Sequence, residues 1–95
     1  MIKSFADKTT QELFERQKVK KISSQILKTA YRKLLIIDAA ENIEDLRIPS
    51  GNRLEKLTGD LSGKYSIRIN DQWRIVFSWS ENNAFEVKIK DYHKG

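Results

Sequence analysis

The sequence contains no cysteine and a single histidine, His93. A disulfide framework and a metal site with thiolate ligands are therefore excluded. One histidine also provides too few nitrogen ligands for a zinc site of the usual kind within one chain. Thiolate and zinc centres are not expected. We expect no cofactor.

Long hydrophobic runs are also absent. The longest uninterrupted apolar stretch is LLII at residues 34–37, far below the roughly 18 residues that a membrane-spanning helix requires. The first residues, MIKSFADK, lack the apolar core of a signal peptide. We therefore predict a cytoplasmic protein with no membrane partner. The length of 95 residues predicts a single domain, residues 1–95, with one core.

Acidic residues are fewer than basic ones. The chain has 13 Asp and Glu against 18 Lys and Arg, for a formal net charge of +5. This balance favours an anionic partner, with nucleic acid as the first candidate. Residues 1–48 hold ten basic and seven acidic side chains and residues 49–95 hold eight and six, which predicts charge spread over the fold. The densest basic run, RQKVKK at 16–21, is either a solvated helix end or a phosphate contact.

Two helices are predicted in the first half of the chain. TTQELFERQ begins with threonines that can cap a helix and has Glu12 in the first turn. SSQILKTAYRKLLIIDAA begins with serines that can cap a helix, and its apolar stripe consists of Ile26, Leu27, Ala30, Leu34 and Ile37. Asp38 and Glu41 have the spacing of a capping box, which predicts a further short helix over DAAENIEDLR.

From residue 64 onward the hydrophobic period changes to two, which is typical of β-strands. The stretches KYSIRIN, QWRIVFSW and AFEVKIK are separated by turns at residues 70–71 and at SENN. In the last of them we expect Phe85, Val87 and Ile89 to share one face. MIKSF is interpreted as an edge strand. The pattern predicts an α+β fold, with helices packed on one face of a small antiparallel sheet.

The same alternation places Arg68 and Arg74 on the sheet face opposite the apolar one. Both lie near one hairpin turn, so their guanidinium groups can converge on a single anion. The planar fork of arginine matches the oxygens of a phosphate. The alternative is that two arginines on a solvated face simply keep the protein soluble.

Tyr92 and His93 follow the last predicted strand. Histidine exchanges protons near neutral pH, whereas tyrosine ordinarily titrates near pH 10. Together with two arginines around one phosphate, they suffice in principle for RNA cleavage by the internal 2′-hydroxyl. One group takes its proton, another assists the leaving oxygen, and the cations stabilise the added charge. The alternative is an aromatic lid followed by a loose chain end.

Several stretches resemble those of a known family. The block PSGNRLEKLTGDLSGKYSIRINDQWRIVFSW and the ending DYH resemble the HigB toxins, a branch of the RelE-like toxins of bacterial type II toxin–antitoxin systems. MIKSF and LLIIDAAENIEDLR match the same branch, so the similarity covers nearly the whole chain. The resemblance implies a RelE-like fold, which is a small twisted antiparallel sheet with two N-terminal helices on one face.

The resemblance also implies a function. Members of the family cut mRNA in the decoding site of a translating 70S ribosome without a metal, and so inhibit translation. It implies a HigA-like helix-turn-helix antitoxin as partner, and contact with operator DNA only through that antitoxin. By position it assigns the scissile phosphate to Arg74, orientation of the nucleotide and proton transfer to Tyr92 and His93, and a supporting phosphate contact to Arg68.

The chain departs from the family at one place that matters. Better-known HigB toxins have HPLKGD, with a histidine and a lysine in the active site, whereas this chain has EKLTGD with Glu55 and Thr58 at those positions. Lys56 and Arg53 are candidates to restore the positive charge, and Glu55 is a candidate base. We therefore expect a mild toxin. The alternative is a protein that binds ribosomal RNA and blocks translation without cleaving.

Overall fold

Two helices precede an antiparallel sheet in residues 1–92, which are the residues that the computed structural model describes. The predicted site residue His93 lies outside them. The helices are α1, Lys8–Phe14, and α2, Ser24–Ala39, and the strands are β1, Glu55–Lys56, β2, Lys64–Arg68, β3, Trp73–Ser80, and β4, Asn83–Asp91. The strand order is β1-β2-β3-β4, and each pair of neighbours is antiparallel. The predicted α+β fold is confirmed.

The helices start at side chains that satisfy free backbone N–H groups. The carboxylate of Asp7 accepts a hydrogen bond from the N–H of Thr10 at 2.8 Å, so α1 starts earlier than the predicted threonine cap. Ser23 accepts from the N–H of Gln25 at 3.2 Å, as predicted for α2. The predicted apolar stripe of α2 is confirmed at its buried members, which are Ile26, Ala30, Leu34 and Ile37.

The capping box predicted at Asp38 is wrong. Asp38 lies inside α2, and its carboxylate accepts a hydrogen bond from the N–H of Ile2 at 2.8 Å. The short 3₁₀ helix that follows, Ile43–Arg47, has Asn42 at its cap position. There the carboxylate of Asp45 accepts the N–H of Asn42 at 3.1 Å. A residue that is already helical is not available to cap the next element, and this moves the cap by one turn.

The core lies between the helices and one face of the sheet. It combines the stripe of α2 with the fully buried strand residues Ile67, Ile75, Phe77, Ala84 and Val87. The predicted turn before β3 is confirmed, because the side-chain oxygen of Asn70 accepts the N–H groups of Gln72 and Trp73 at 2.9 and 2.8 Å. Among residues 1–92 no helix is long and apolar enough to cross a membrane.

The face predicted for Phe85 is wrong, because β4 contains a bulge. Ser78 pairs with Phe85 while Val76 pairs with Lys88, so β4 has one more residue than β3 between these pairs. Glu86 takes up the irregularity with a left-handed φ of 52°. A bulge reverses the alternation of side chains on one side of it. Ala84 therefore faces the core, and Phe85 shares the opposite face with Ser78.

The predicted edge strand MIKSF lies along β4, but as two isolated parallel bridges rather than a regular strand. Ile2 pairs with Ala84 and Phe5 pairs with Val87. Backbone bonds of 2.8 to 3.1 Å join this segment to β4 on both sides of the bulge. The outer edge of β4 is therefore covered by the first residues of the chain.

Candidate active site

Arg68 and Arg74 are directly opposite each other in the β2–β3 hairpin. Cross-strand partners share a face, so both side chains project from the side of the sheet that the helices do not cover. Ser66 in β2 and Glu55 in β1 belong to the same face, because Glu55 pairs with Ser66. The sheet register thus places two guanidinium groups and one carboxylate together.

Arg74 is held in place by several hydrogen bonds. Its Nε donates to Oγ of Ser66 at 2.8 Å, and its Nη2 donates to the backbone carbonyl of Arg53 at 2.7 Å. Glu55 lies 3.8 Å from the same Nη2. The Arg74 side chain is only 11% exposed. An arginine fixed on its inner side in this way presents its remaining N–H groups in one orientation, which favours recognition of a planar anion.

Arg68 has a different environment. Its Nη2 is paired with the carboxylate of Asp71, three residues later in the turn. The Asp71 side chain is 99% exposed, whereas that of Arg68 is 31% exposed. Exposed pairs of this kind contribute little to stability and are easily exchanged for another anion. Arg68 is therefore a cation whose partner can be displaced.

Tyr92 lines the same cleft. Its N–H donates to the carbonyl of Gln72 at 2.6 Å, which ties the end of β4 to the β2–β3 turn. The ammonium group of Lys90 lies 5.9 Å from the centre of the tyrosine ring. The cleft has a volume of about 330 Å³ and is lined by Arg53, Glu55, Arg68, Asn70, Asp71, Arg74 and Tyr92.

The structure brings most of the predicted site residues together and separates one of them. Arg53, Arg68, Arg74 and Tyr92 all line the cleft. Lys56 does not, since it pairs with Tyr65, whose partner in β3 is the buried core residue Phe77. Lys56 therefore belongs to the other face of the sheet, away from the arginines.

Sequence reasoning missed three acceptors and one buried pair, that of Lys33 with Asn52. Ser66 and the Arg53 carbonyl orient Arg74, and Asp71 pairs with Arg68. The spacing of three residues between Arg68 and Asp71 across a turn was the sequence signal available for this ion pair.

Within residues 1–92 no group of three or more His, Asp or Glu side chains is placed to hold a metal ion.

A buried polar pair supports the segment beside the cleft. Asn52 is fully buried, and its side-chain N–H groups donate to the carbonyls of Leu46 and Ile48 at 3.2 and 3.3 Å. Its oxygen accepts a hydrogen bond from the ammonium group of Lys33 in α2. Burial lowers the pKa of Lys33, and the nearby guanidinium groups of Arg32 and Arg68 lower it further.

This pair determines where the next residue lies. Arg53 follows Asn52 directly and adopts the left-handed region at a φ of 45°. Its carbonyl is the acceptor for Arg74 described above. The path from α2 through Lys33 and Asn52 to Arg53 therefore fixes one of the atoms that orient Arg74.

Comparison with known proteins identifies the family. Residues 3–93 match the sequence model of the HigB-like toxins, described as RelE-like toxins of the type II toxin–antitoxin system HigB. The chain belongs to the HigB family of RelE-like toxins. Toxin HigB-1 of Vibrio cholerae is 43% identical to it over an alignment of 95 positions that covers 99% of each chain. Endoribonuclease HigB of Proteus vulgaris is 33% identical over 93 residues, covering 98% of this chain and 100% of that protein.

Solved structures show the same fold at lower sequence identity. The toxin superimposes on a chain of the YoeB–YefM complex of Staphylococcus aureus with a TM-score of 0.62, at 21% identity and 99% coverage of both chains. YafQ of Escherichia coli gives a TM-score of 0.55 at 10% identity, covering 96% of this chain and 93% of that one. These likenesses establish that this HigB toxin has the fold of the YoeB and YafQ chains.

Proposed function

We propose that this HigB toxin is an endoribonuclease that cuts mRNA on the ribosome and thereby inhibits translation. The observation that carries the proposal is the pair Arg68 and Arg74, opposite each other in one cleft that Tyr92 also lines. The name of the Proteus vulgaris relative, Endoribonuclease HigB, supports the reaction type. Ribosomes translate in the cytoplasm, and the toxin would act there.

The two arginines that line the cleft support the binding of an RNA phosphodiester. In the proposed reaction the 2′-hydroxyl attacks the adjacent phosphorus, a new P–O2′ bond forms, and the P–O5′ bond breaks. The products are a 2′,3′-cyclic phosphate and a 5′-hydroxyl. Arg74 binds the phosphate oxygens and stabilises the charge of the transition state, and Arg68 adds a second cation once Asp71 is displaced.

Proton transfer needs one acceptor for the 2′-hydroxyl and one donor for the leaving oxygen. Glu55 is an acceptor on the required face, 3.8 Å from Arg74, in an exposed position that a nucleotide can reach. Tyr92 at the cleft wall orients the nucleotide by contact with its ring, and His93 follows it in sequence as the donor. This arrangement places a carboxylate as the base at the position where better-known HigB toxins have a histidine.

The partners follow from membership of a type II toxin–antitoxin family. We propose a HigA-like helix-turn-helix antitoxin that binds the toxin, with operator DNA contacted only through that antitoxin. The YoeB chain to which this fold is similar was solved in a complex with YefM. Recovery of a helix-turn-helix protein with the tagged toxin from the native host tests this part. A native purification that yields the toxin without such a partner would contradict it.

The activity is tested by incubating purified toxin with a defined mRNA, with and without translating ribosomes, and mapping new 5′ ends by primer extension. We expect cuts that require ribosomes. Tyr92→Phe should reduce them modestly, because the ring remains, whereas His93→Ala should lower the rate by about 10² to 10³-fold. Cuts of equal rate in naked mRNA would contradict ribosome dependence.

A second function is favoured by one observation: both arginines already have carboxylates nearby, Glu55 and Asp71. If these carboxylates keep the mRNA phosphate from binding to the arginines, the toxin would block the decoding site without cleaving the mRNA. Ribosomes that stall on intact mRNA would then be found with wild type and with His93→Ala alike. Loss of toxicity in the histidine variant, with ribosome binding retained, supports cleavage instead.

Replacing Asp71 with asparagine is expected to raise kcat/KM for ribosome-bound mRNA by about two- to fivefold at low salt, because Arg68 loses its competing anion. Added salt should diminish the gain, since the pair is exposed. Initial cleavage rates at several KCl concentrations provide the measurement. Glu81→Gln, which removes an equal charge from the exposed turn between β3 and β4, is the matched control and should behave as wild type.

A further inference from the structure

The bulge in β4 leaves an aromatic ring on the face of the sheet that the helices do not cover, which we call the open face. Phe85 pairs with Ser78 on that face, whereas its neighbour Ala84 is fully buried. The Phe85 side chain is half-buried and lies outside the core cluster. Within residues 1–92 its ring is stacked on no other aromatic ring. A phenyl ring thus stands on the open face without an aromatic partner.

The register of β3 and β4 connects this ring to the active-site cleft. Alternate residues of β3 face the open side and pair with residues of β4: Arg74 with Lys90, Val76 with Lys88, and Ser78 with Phe85. Arg74 and Ser78 are four residues apart, which is about 13 Å along a strand. A nucleotide whose phosphate binds Arg74 cannot extend its base over that distance. The ring is therefore within reach of a neighbouring nucleotide of the same RNA strand.

The surface between the cleft and the ring suits an RNA strand. Val76 is buried at 3% exposure and forms an apolar floor beside Lys88. In the described part of the chain Lys88 has no ion pair within 4.0 Å. Glu86, the acidic neighbour of the ring, is paired with Lys64 at 3.3 Å, and Lys64 also donates to Oγ of Ser78 at 3.1 Å. The carboxylate next to the ring is therefore compensated by an ammonium group and does not repel a passing phosphate.

The chemistry of the ring indicates what it binds. Every nucleobase has a π-face that stacks on an aromatic side chain, and some RNA-binding sheets present such rings on their open face. A phenyl ring has no hydrogen-bonding group, so it holds a base without reading its identity. An amphipathic protein helix needs a continuous apolar stripe, whereas the apolar side chains on the open face of β3 and β4 are Phe85 and the nearly covered Val76. A single-stranded nucleotide is therefore the better match.

We infer that Phe85 is a base-stacking subsite for mRNA, which holds the base of a nucleotide that neighbours the scissile phosphate. This inference rests on the proposed function, in which Arg74 binds that phosphate. Stacking is the same before and during the reaction, so the ring contributes to the binding of mRNA and not to the chemical step. Because any base stacks on it, the ring fixes the path of the strand, and with it the bond that lies at the arginines, without selecting a sequence.

The first test replaces the ring. Phe85→Leu keeps an apolar side chain but cannot stack, so KM for ribosome-bound mRNA should rise about five- to twentyfold while kcat stays unchanged. Phe85→Trp presents a larger π-face and should stay within about twofold of wild type. Tyr31→Leu, which removes a half-buried ring from α2 in the helical layer, is the matched control and should keep the wild-type KM. Circular dichroism and urea unfolding establish that each variant is folded.

The second test removes the base instead of the ring. Ribosomes are programmed with mRNAs that each lack one base near the mapped cut. At one position the loss should raise KM for wild type by about five- to twentyfold and have no further effect on Phe85→Leu, because ring and base act as one pair. Losses that add in full at every position would overturn the inference, as would a Phe85→Trp variant as weak as Phe85→Leu.

Binding measurements separate this inference from the proposed activity. An mRNA with 2′-deoxy nucleotides in the decoding-site codon cannot be cut, because the attacking hydroxyl is absent. Ribosomes programmed with it should bind Phe85→Leu about five- to twentyfold more weakly than wild type. This result, together with natural mRNA that stays intact, would overturn the proposed activity and leave the subsite. Unchanged binding to these ribosomes with weaker binding of the antitoxin would overturn the subsite in favour of a protein partner.

Discussion

Replacing Arg74 with lysine should lower the rate of mRNA cleavage by about 10² to 10³-fold, the usual effect of losing one donor that stabilises a transition state. Lysine keeps the positive charge but has neither the planar fork nor the Nε–H group that donates to Ser66. Its single ammonium group cannot bind the Arg53 carbonyl and Ser66 on the inner side while also contacting two phosphate oxygens. The measurement is the single-turnover rate of cleavage on programmed ribosomes.

Arg47→Lys is the matched control for this change. Arg47 is exposed, pairs with Glu44 at 3.0 Å and lies outside the active-site cleft, so its replacement should leave the rate unchanged. Ribosome binding by Arg74→Lys should persist, because the charge persists, and circular dichroism should show the native spectrum. A rate within about threefold of wild type would mean that the cleft requires only a positive charge and would contradict the role given to the arginine fork.

Replacing Asn52 with alanine should reduce the free energy of unfolding by about 3 kcal/mol. The change removes the donors to the carbonyls of Leu46 and Ile48 and leaves the buried ammonium group of Lys33 without its acceptor. Urea unfolding followed by tryptophan fluorescence measures the loss. Ser50→Ala, an exposed change in the short 3₁₀ helix Ser50–Asn52, should stay within about 0.5 kcal/mol of wild type.

A loss below about 1 kcal/mol for Asn52→Ala would contradict the view that this residue supports the segment before β1. The pH dependence provides an independent check. The folded-state pKa of Lys33 is lowered from 10.5, chiefly by burial, so the unfolded chain binds the extra proton in the window between the two values. Stability of wild type relative to Lys33→Met should therefore rise as the pH increases towards 10.5. A constant difference across this range would contradict the lowered pKa.

The predictable parts of the fold are those in which one hydrophobic period repeats along the sequence. The stripe of α2 repeats at helical spacing, and the register that sets Arg68 opposite Arg74 follows from two strands joined by a turn at Asn70. The bulge in β4 was not predictable, because Ala84 and Phe85 are both apolar and either one suits the core face.

The site was predictable only in part, because long-range contacts leave little trace in the local pattern. A strand of two residues carries no readable alternation, so nothing in the sequence placed Lys56 on the core side of the sheet. Lys33 and Asn52 are 19 residues apart and look like ordinary surface residues. Their pairing depends on how α2 packs against the turns before β1, which only the complete fold determines.

The pairing of Ile2 with Ala84 and of Phe5 with Val87 has a consequence for the synthesis of the toxin. Partners 82 positions apart meet late, since the first residues leave the ribosome long before β4 has been translated. The same delay applies to the candidate active-site cleft. Arg53 and Tyr92 both line it, and Tyr92 is translated 39 positions after Arg53. The nascent chain therefore has no completed cleft until β4 has emerged from the ribosome.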